Sequence, residues 1–251
     1  METRIDGFLG GRLRIEQPAR GYRAGADAVM LAAACPALAG QAVLELGCGA
    51  GVASLCLDAR VPGLELSGLE RDGFYAELAR RNAAANGAVL RVVEGDLAAM
   101  PGELRAQVFD HVIANPPYFG PGQPSPDPAR AMARHEETEL DQWIDAALRR
   151  LRPGGHLTMI HLAARLGAIL AGLQARAGGV AVLPIAARHG RDAGRVIVIA
   201  RKGARAPLRL LAPFVMHMKP SHSGDGDDLS PAAQAVLRHG APILTEPSET
   251  G

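Results

Sequence analysis

Three cysteines, one tryptophan and two lysines are all that 251 residues supply of those types, and aromatic side chains make up 4% of the chain. Each scarcity excludes something. Cys35, Cys48 and Cys56 are odd in number and no two form a Cys-x-x-Cys pair, which argues against a disulfide framework and against a zinc site. Three reduced, buried thiols and no metal are expected. No charge-free run of about 18 apolar residues occurs, so no membrane span is expected. Residues 1–10 carry Glu2, Arg4 and Asp6 in place of a basic start followed by an apolar stretch, and a cytoplasmic protein is the expectation. With aromatics scarce, the hydrophobic 48% must be largely Ala, Val and Leu, a composition suited to helices packed closely on a parallel sheet. The net charge of +1 hides local asymmetry, and every basic residue except Lys202 and Lys219 is arginine.

What is present is alternation. β-rich runs at 42–46, 64–70, 89–94, 108–114 and 156–162 are separated by helical stretches, among them 72–86, where Phe74, Leu78 and Ala79 share a face and Gly87 is a stop signal. Thr138 with Asp141 can cap a helix through Trp143, Ala147 and Leu151, ended by Arg152-Pro153-Gly154-Gly155. After a further helix near 162–175, runs at 180–187 and 195–200 are joined by seven residues that include two glycines. No helix fits there, so the pair must be an antiparallel hairpin. The expectation is a Rossmann-like α/β fold with a mostly parallel seven-stranded sheet ending in a C-terminal antiparallel hairpin. That is the class I methyltransferase topology, whereas a dinucleotide-binding fold would continue with parallel crossovers. Three segments follow: an N-terminal extension over 1–40, a domain over 41–212 that holds the alternating units, and a tail over 213–251. The tail reads as partly mobile because 221–251 is rich in Ser, Gly, Pro and Asp.

Glu45-Leu46-Gly47-Cys48-Gly49-Ala50-Gly51 follows a strand and precedes a helix, and its glycines let the backbone turn sharply and approach a ligand. The spacing is Gly-x-Gly-x-Gly, with an acidic residue two positions before the first glycine. A pyrophosphate-binding fingerprint has Gly-x-Gly-x-x-Gly, so the loop points to S-adenosylmethionine, which has no pyrophosphate to seat. Glu70 ends the second strand and is placed to accept hydrogen bonds from ribose hydroxyls, with Asp72 available as the helix cap. Asp96, followed by Leu97, comes after the third strand, and either accepts from the cofactor adenine amine or caps the next turn.

Asn115-Pro116-Pro117-Tyr118 lies directly after the strand 109–114, hence at the same carboxyl edge. Alone the four residues make a stiff turn. Beside the glycine loop they make an acceptor site, because two prolines remove N–H donors and leave carbonyl groups free. The Asn115 side chain and the Pro116 carbonyl can hold both hydrogens of a planar NH2 group, and Tyr118 can stack on an aromatic base. Such an amine is a poor nucleophile until its nitrogen pyramidalises, which those two hydrogen bonds favour.

Residues 1 to about 240 resemble the bacterial tRNA1(Val) adenine N6-methyltransferase family. The carriers are Gly21-Tyr22-Arg23-Ala24-Gly25-Ala26-Asp27-Ala28-Val29-Met30-Leu31, the segment 115–120, and Ala133-Arg134-His135-Glu136. The resemblance implies methyl transfer from S-adenosylmethionine to adenine N6 in RNA, with tRNA near the anticodon as the expected partner. It also implies that the segment before the first strand folds over the cofactor. Tyr22 and Asp27 then help to enclose it, although Asp27 fits equally as a helix N-cap. The expected cofactor-binding set is Tyr22, Asp27, Glu45, Gly47, Cys48, Gly49, Gly51, Glu70, Asp96, Leu97 and Asn115. For RNA, the stretch 188–209 holds seven basic residues against Asp192, and Arg188, Arg191, Arg195 and Lys202 are the expected phosphate contacts. The Pro-rich stretch 121–134 is a candidate lid or substrate guide. His135 and Glu136 read as structural residues ahead of a helix, His161 and Met159 as core, and Trp143 as packing. Two alternatives stay open: transfer to another planar amine, guanine in ribosomal RNA or a release-factor glutamine, and a non-catalytic RNA-binding module with this fold.

Overall fold

The computed structural model describes residues 2–118, 140–219 and 228–243. Strands β1 (Thr3–Phe8) and β2 (Leu13–Pro18) form a separate antiparallel hairpin, followed by helix α1 (Ala26–Ala34). Then come β3 (Ala42–Leu46), α2 (Val52–Arg60), β4 (Glu65–Glu70), α3 (Gly73–Ala85), β5 (Leu90–Glu94), the single turn α4 (Gly102–Arg105) and β6 (Phe109–Ala114). Beyond residue 139 lie α5 (Leu140–Arg150), β7 (Leu151–Leu162), α6 (Leu166–Leu173), β8 (Ala177–Arg188), β9 (Ala193–Lys202), β10 (Arg209–Leu210), β11 (Phe214–His217) and α7 (Pro231–His239).

The sheet runs β5-β4-β3-β6-β7-β9-β8, with β3 to β7 parallel and the β8–β9 hairpin antiparallel, as the seven-residue connection requires. β10 and β11 add parallel to β8, so the sheet has nine strands, not the expected seven. These two strands contribute 2 and 4 residues, too few to stand out as periodic runs. The order reverses between β3 and β6, because β4 lies on one side of β3 and β6 on the other. A crevice forms at such a reversal, outside the carboxyl ends of the two strands.

Alternation along β3 shows how the sheet divides the core. Val43 packs into the layer that holds α1, α2 and α3, whereas Leu44 and Leu46 join Trp143, Ile144 and Leu148 of α5 on the other face. Helix α3 forms where expected: Asp72 caps it by accepting the Phe74 N–H at 2.8 Å, and Gly87, at φ 66°, leaves it. The four residues 152–155 bulge opposite the single residue Asp110, whose carboxylate takes Arg152 at 2.6 Å, and β7 therefore begins at Leu151, not at His156.

Part of the tail forms a helix that the sequence did not signal. Within its described part, α7 is capped by Ser230 and buries Ala233 and Val236 against α1 and the turn after β1. The Arg12 guanidinium donates to the His239 carbonyl at 2.8 Å, and Ile243 N–H to the Ala33 carbonyl at 2.8 Å. Two small apolar residues three apart suffice for one helical face, and a flank rich in Ser, Gly and Asp hid them. The expected cap at Thr138, the stretch 121–134, the segment 133–136 and Gly120 lie outside the described residues. All three cysteines are buried and unpaired, and among the described residues no helix is long and apolar enough to cross a membrane.

Candidate active site

The loop after β3 is shaped by backbone. Gly47, Gly49 and Gly51 have φ of 63°, 53° and 83°, the left-handed region that side chains other than glycine rarely adopt. At Gly47 the restriction is doubled, since a Cβ there would stand 2.6 Å from the Trp143 ring. Trp143 is thus the floor of this loop, a packing role as expected. The Cys48 N–H donates to the Leu69 carbonyl at 3.0 Å and the Gly49 N–H to the Glu70 carboxylate at 2.8 Å, which ties the loop to β4.

Two carboxylates lie under and beside that loop. Glu45, 4% exposed, accepts from the N–H and the hydroxyl of Ser54, and burial pushes its pKa up to about 8 against those bonds. Burial also raises Glu70, opposed by the N–H groups of Asp72 and Gly49. The Glu70 carboxylate accepts the Gly49 N–H at 2.8 Å on one oxygen and the Asp72 N–H at 2.9 Å on the other. Asp96 accepts the Ala98 N–H at 2.8 Å and caps the short turn Leu97–Ala99.

A cleft opens between the loop and the N-terminal segment, and its lining includes Gln17, Tyr22, Glu45, Gly47, Cys48, Gly49, Tyr75 and Asn115. The Tyr75 hydroxyl donates to the Tyr22 carbonyl at 2.9 Å. Gln17, 2% exposed, exchanges two hydrogen bonds with the Ala24 backbone at 2.8 and 3.2 Å, and so fastens the strap 22–24 to the β1–β2 hairpin. Asp27, Gly51, Glu70, Asp96 and Leu97 do not line the cleft.

The acceptor segment is held by side chains. Asn115 leaves β6 and reaches the cleft. The Tyr118 hydroxyl donates to the Asp27 carboxylate in a short hydrogen bond, the Arg195 guanidinium carbon stands 4.5 Å from the Tyr118 ring centroid, and the His161 ring meets it edge-on at 5.3 Å. Asp27 therefore belongs to the acceptor side. It is not the N-cap of α1, which is Gly25. His161, buried as expected, has a further contact. Its Nδ1 accepts the Leu162 N–H at 2.8 Å, so in the neutral ring Nε2 carries the proton. That nitrogen bonds the Pro117 backbone, where only the carbonyl is available because proline has no N–H. Burial lowers the His161 pKa to about 4 and keeps the ring neutral.

The four expected phosphate contacts are not one patch. Arg191 is exposed in the β8–β9 turn, and Arg195 is committed to Asp27 at 3.2 Å. Arg188 is mostly buried, where it pairs with Asp228 at 3.0 Å and donates to the Lys219 carbonyl, holding the C-terminal segment. Lys202 donates to the Leu151 carbonyl at 2.6 Å, at the start of β7 and so at the sheet edge opposite the site. Arg195 and Lys202 are seven residues apart on an extended strand, which separates them by roughly 23 Å. Charge counting along a sequence does not see that both ends of one strand face opposite rims. Gln17 and Arg165 gave no sequence signal either, and Arg165 lies close enough to His161 to depress its pKa.

The chain matches the family model described as methyltransferase small domain over residues 25–170. It is 38% identical over 169 residues to a tRNA1(Val) (adenine(37)-N6)-methyltransferase of Porphyromonas gingivalis, covering 64% of this chain and 66% of the relative, just under two thirds. A protein of the same description from Aeromonas salmonicida is 30% identical over 205 residues, 80% of this chain and 85% of the relative. Among solved structures, a predicted O-methyltransferase from Agrobacterium tumefaciens superimposes with a TM-score of 0.71 at 30% identity, covering 86% of this chain and 98% of that one. A type I restriction-modification methyltransferase subunit from Streptococcus thermophilus shares the fold, with a TM-score of 0.55 at 17% identity.

Proposed function

The chain belongs to the methyltransferase small domain family, with S-adenosylmethionine as the methyl donor, and on that premise we propose that it methylates the N6 amine of an adenine in tRNA beside the anticodon. The observation that carries this is the placement of Asn115–Tyr118 at the carboxyl end of β6, next to the glycine loop after β3, with Asn115 lining the cleft that the loop bounds. The residues fit the donor. Gly47 and Gly49 bring left-handed backbone against the cleft, Tyr22 and Tyr75 wall it, and Glu70, at the end of β4 beside the loop, is the acceptor for ribose hydroxyls. S-adenosylmethionine supplies an electrophilic methyl group on a sulfonium, and no activation of that group by the protein is required.

The acceptor side does the remaining work. The Asn115 side-chain oxygen and the Pro116 carbonyl accept the two amine hydrogens and favour a pyramidal nitrogen, an interaction stronger in the transition state than in the ground state. Tyr118 fixes the plane of the base by stacking. His161 stays neutral with its proton directed at Pro117, so it positions the segment without acting as a base. Arg191 and Arg165, which are exposed and whose side chains make no ion pair among the described residues, supply phosphate contacts. A cytoplasmic location fits this substrate.

The test is incubation of unmodified tRNA with the protein and isotopically labelled S-adenosylmethionine, then nucleoside analysis by mass spectrometry. Labelled N6-methyladenosine is expected. Label in methylguanosine, or only in a release-factor glutamine, would replace this reading with one of the other planar amines, and cofactor binding without transfer to any acceptor would leave a binding module.

A further inference from the structure

Tyr118 is held from three directions by residues that the chain keeps far apart. Asp27 stands in the first turn of α1 and Arg195 in β9, 168 residues later, yet both meet at the Tyr118 ring. One oxygen of Asp27 accepts from the Tyr118 hydroxyl and from the Arg195 Nε, the latter at 3.2 Å. The guanidinium also lies over one face of the ring, a cation–π contact, while His161 meets the ring edge. Stability alone does not account for this arrangement. The Asp27 and Arg195 side chains are 32% and 34% exposed, and an ion pair that open to water contributes little. What the pair does is remove the freedom of the tyrosine: the hydroxyl is tethered and one face is covered, so a planar partner can stack only on the other.

We propose that Asp27 and Arg195 are positioning residues that act through Tyr118, presetting the plane in which the acceptor base stacks before RNA arrives. This rests on the reading that the acceptor is a planar base beside Asn115. Both residues thereby leave the roles expected from sequence, Asp27 from cofactor enclosure and Arg195 from phosphate binding. The Asn115 and Pro116 acceptors reach both amine hydrogens only if the base plane is correct, and small errors in such alignment cost rate steeply. A base on the face of Tyr118 opposite Arg195 completes a stack of base, ring and guanidinium.

Two measurements decide it. The first needs no RNA: with ¹³C-labelled tyrosine, the Tyr118 ring should give distinct signals for its two edges, and Asp27→Ala or Arg195→Ala should merge them as the ring begins to flip. Tyr118 signals unaltered by either change would overturn the proposal. The second is kinetic. Asp27→Ala should lower kcat/KM for RNA about fivefold to tenfold with KM for S-adenosylmethionine unchanged, and in a Tyr118→Phe background the same substitution should cost less than about twofold, the non-additivity of residues acting as one unit. Arg195→Lys, which keeps the charge and loses the planar group, should fall between wild type and Arg195→Ala. Equal losses in both backgrounds would overturn the proposal. A wild type that methylates no RNA but shows the expected ring signals would overturn the functional reading and leave the clamp standing.

Discussion

The donor and acceptor halves of the site lie a strand apart and are built by opposite means. After β3 the chain shapes itself: three glycines within five residues turn the backbone, and the partners of the Cys48 and Gly49 N–H groups, Leu69 and Glu70, lie on the adjacent strand. After β6 the chain is shaped by others, with Asp27, His161 and Arg195 arriving from α1, β7 and β9 to hold Tyr118. A backbone-built half is intolerant of any added atom. A half built from side chains can be loosened one contact at a time.

Asn115→Ala should give the largest effect. Loss of one of the two amine acceptors should lower kcat by about 10²–10³, the cost of deleting one preorganised hydrogen-bonding group. The cofactor Kd by calorimetry should change by less than about threefold; a large loss of cofactor affinity would mean that Asn115 serves the donor half.

Gly47→Ala probes the other side. A Cβ at φ 63° and 2.6 Å from Trp143 should cost roughly 2–4 kcal/mol in thermal unfolding and weaken cofactor binding, by left-handed strain plus overpacking. Wild-type stability would show that the loop is not rigidly seated on Trp143.

Titration separates the halves by sign. Folding raises the Glu45 pKa from 4.5 to about 8, so between those values the folded state holds more protons than the unfolded chain and stability falls as pH rises. The His161 pKa is lowered from 6.5 to about 4, so the unfolded chain takes up the proton first and stability is lost as pH falls through that window. Glu45→Gln should flatten the alkaline limb and His161→Gln part of the acid limb, each by about 1–2 kcal/mol, with His111, also lowered to about 4, supplying more of the acid limb. Limbs unchanged by the two substitutions would contradict the burial of these groups.

The smallest effect concerns RNA. Arg191→Ala and Arg165→Ala should each raise the Kd for tRNA about twofold to fivefold and reduce the salt slope by about one, whereas Lys202→Ala, at the opposite rim, should do neither. A Lys202 effect equal to theirs would place RNA across the amino edge of the sheet.

The same contrast explains what could be read without coordinates. Gly47, Gly49 and Gly51 announce their backbone geometry locally, and strand alternation from Ala42 to Ala114 fixes where that loop and Asn115 emerge. Arg195 and Lys202 look alike in sequence, and only the antiparallel course of β9 sends them to opposite rims. His161 looks like core because it is core, and its bond to Pro117 depends on β7 lying beside β6. The helix at Pro231–His239 was obscured by its polar surroundings. Local backbone chemistry is legible, whereas contacts between residues 168 apart require the fold.

Whether the acceptor segment receives an adenine amine of tRNA is decided by nucleoside mass spectrometry of total tRNA from cells with and without the gene. N6-methyladenosine should be lost from the tRNA of the deletion strain, return with the wild-type gene and not return with Asn115→Ala. An N6-methyladenosine content identical in the two strains would contradict the adenine assignment.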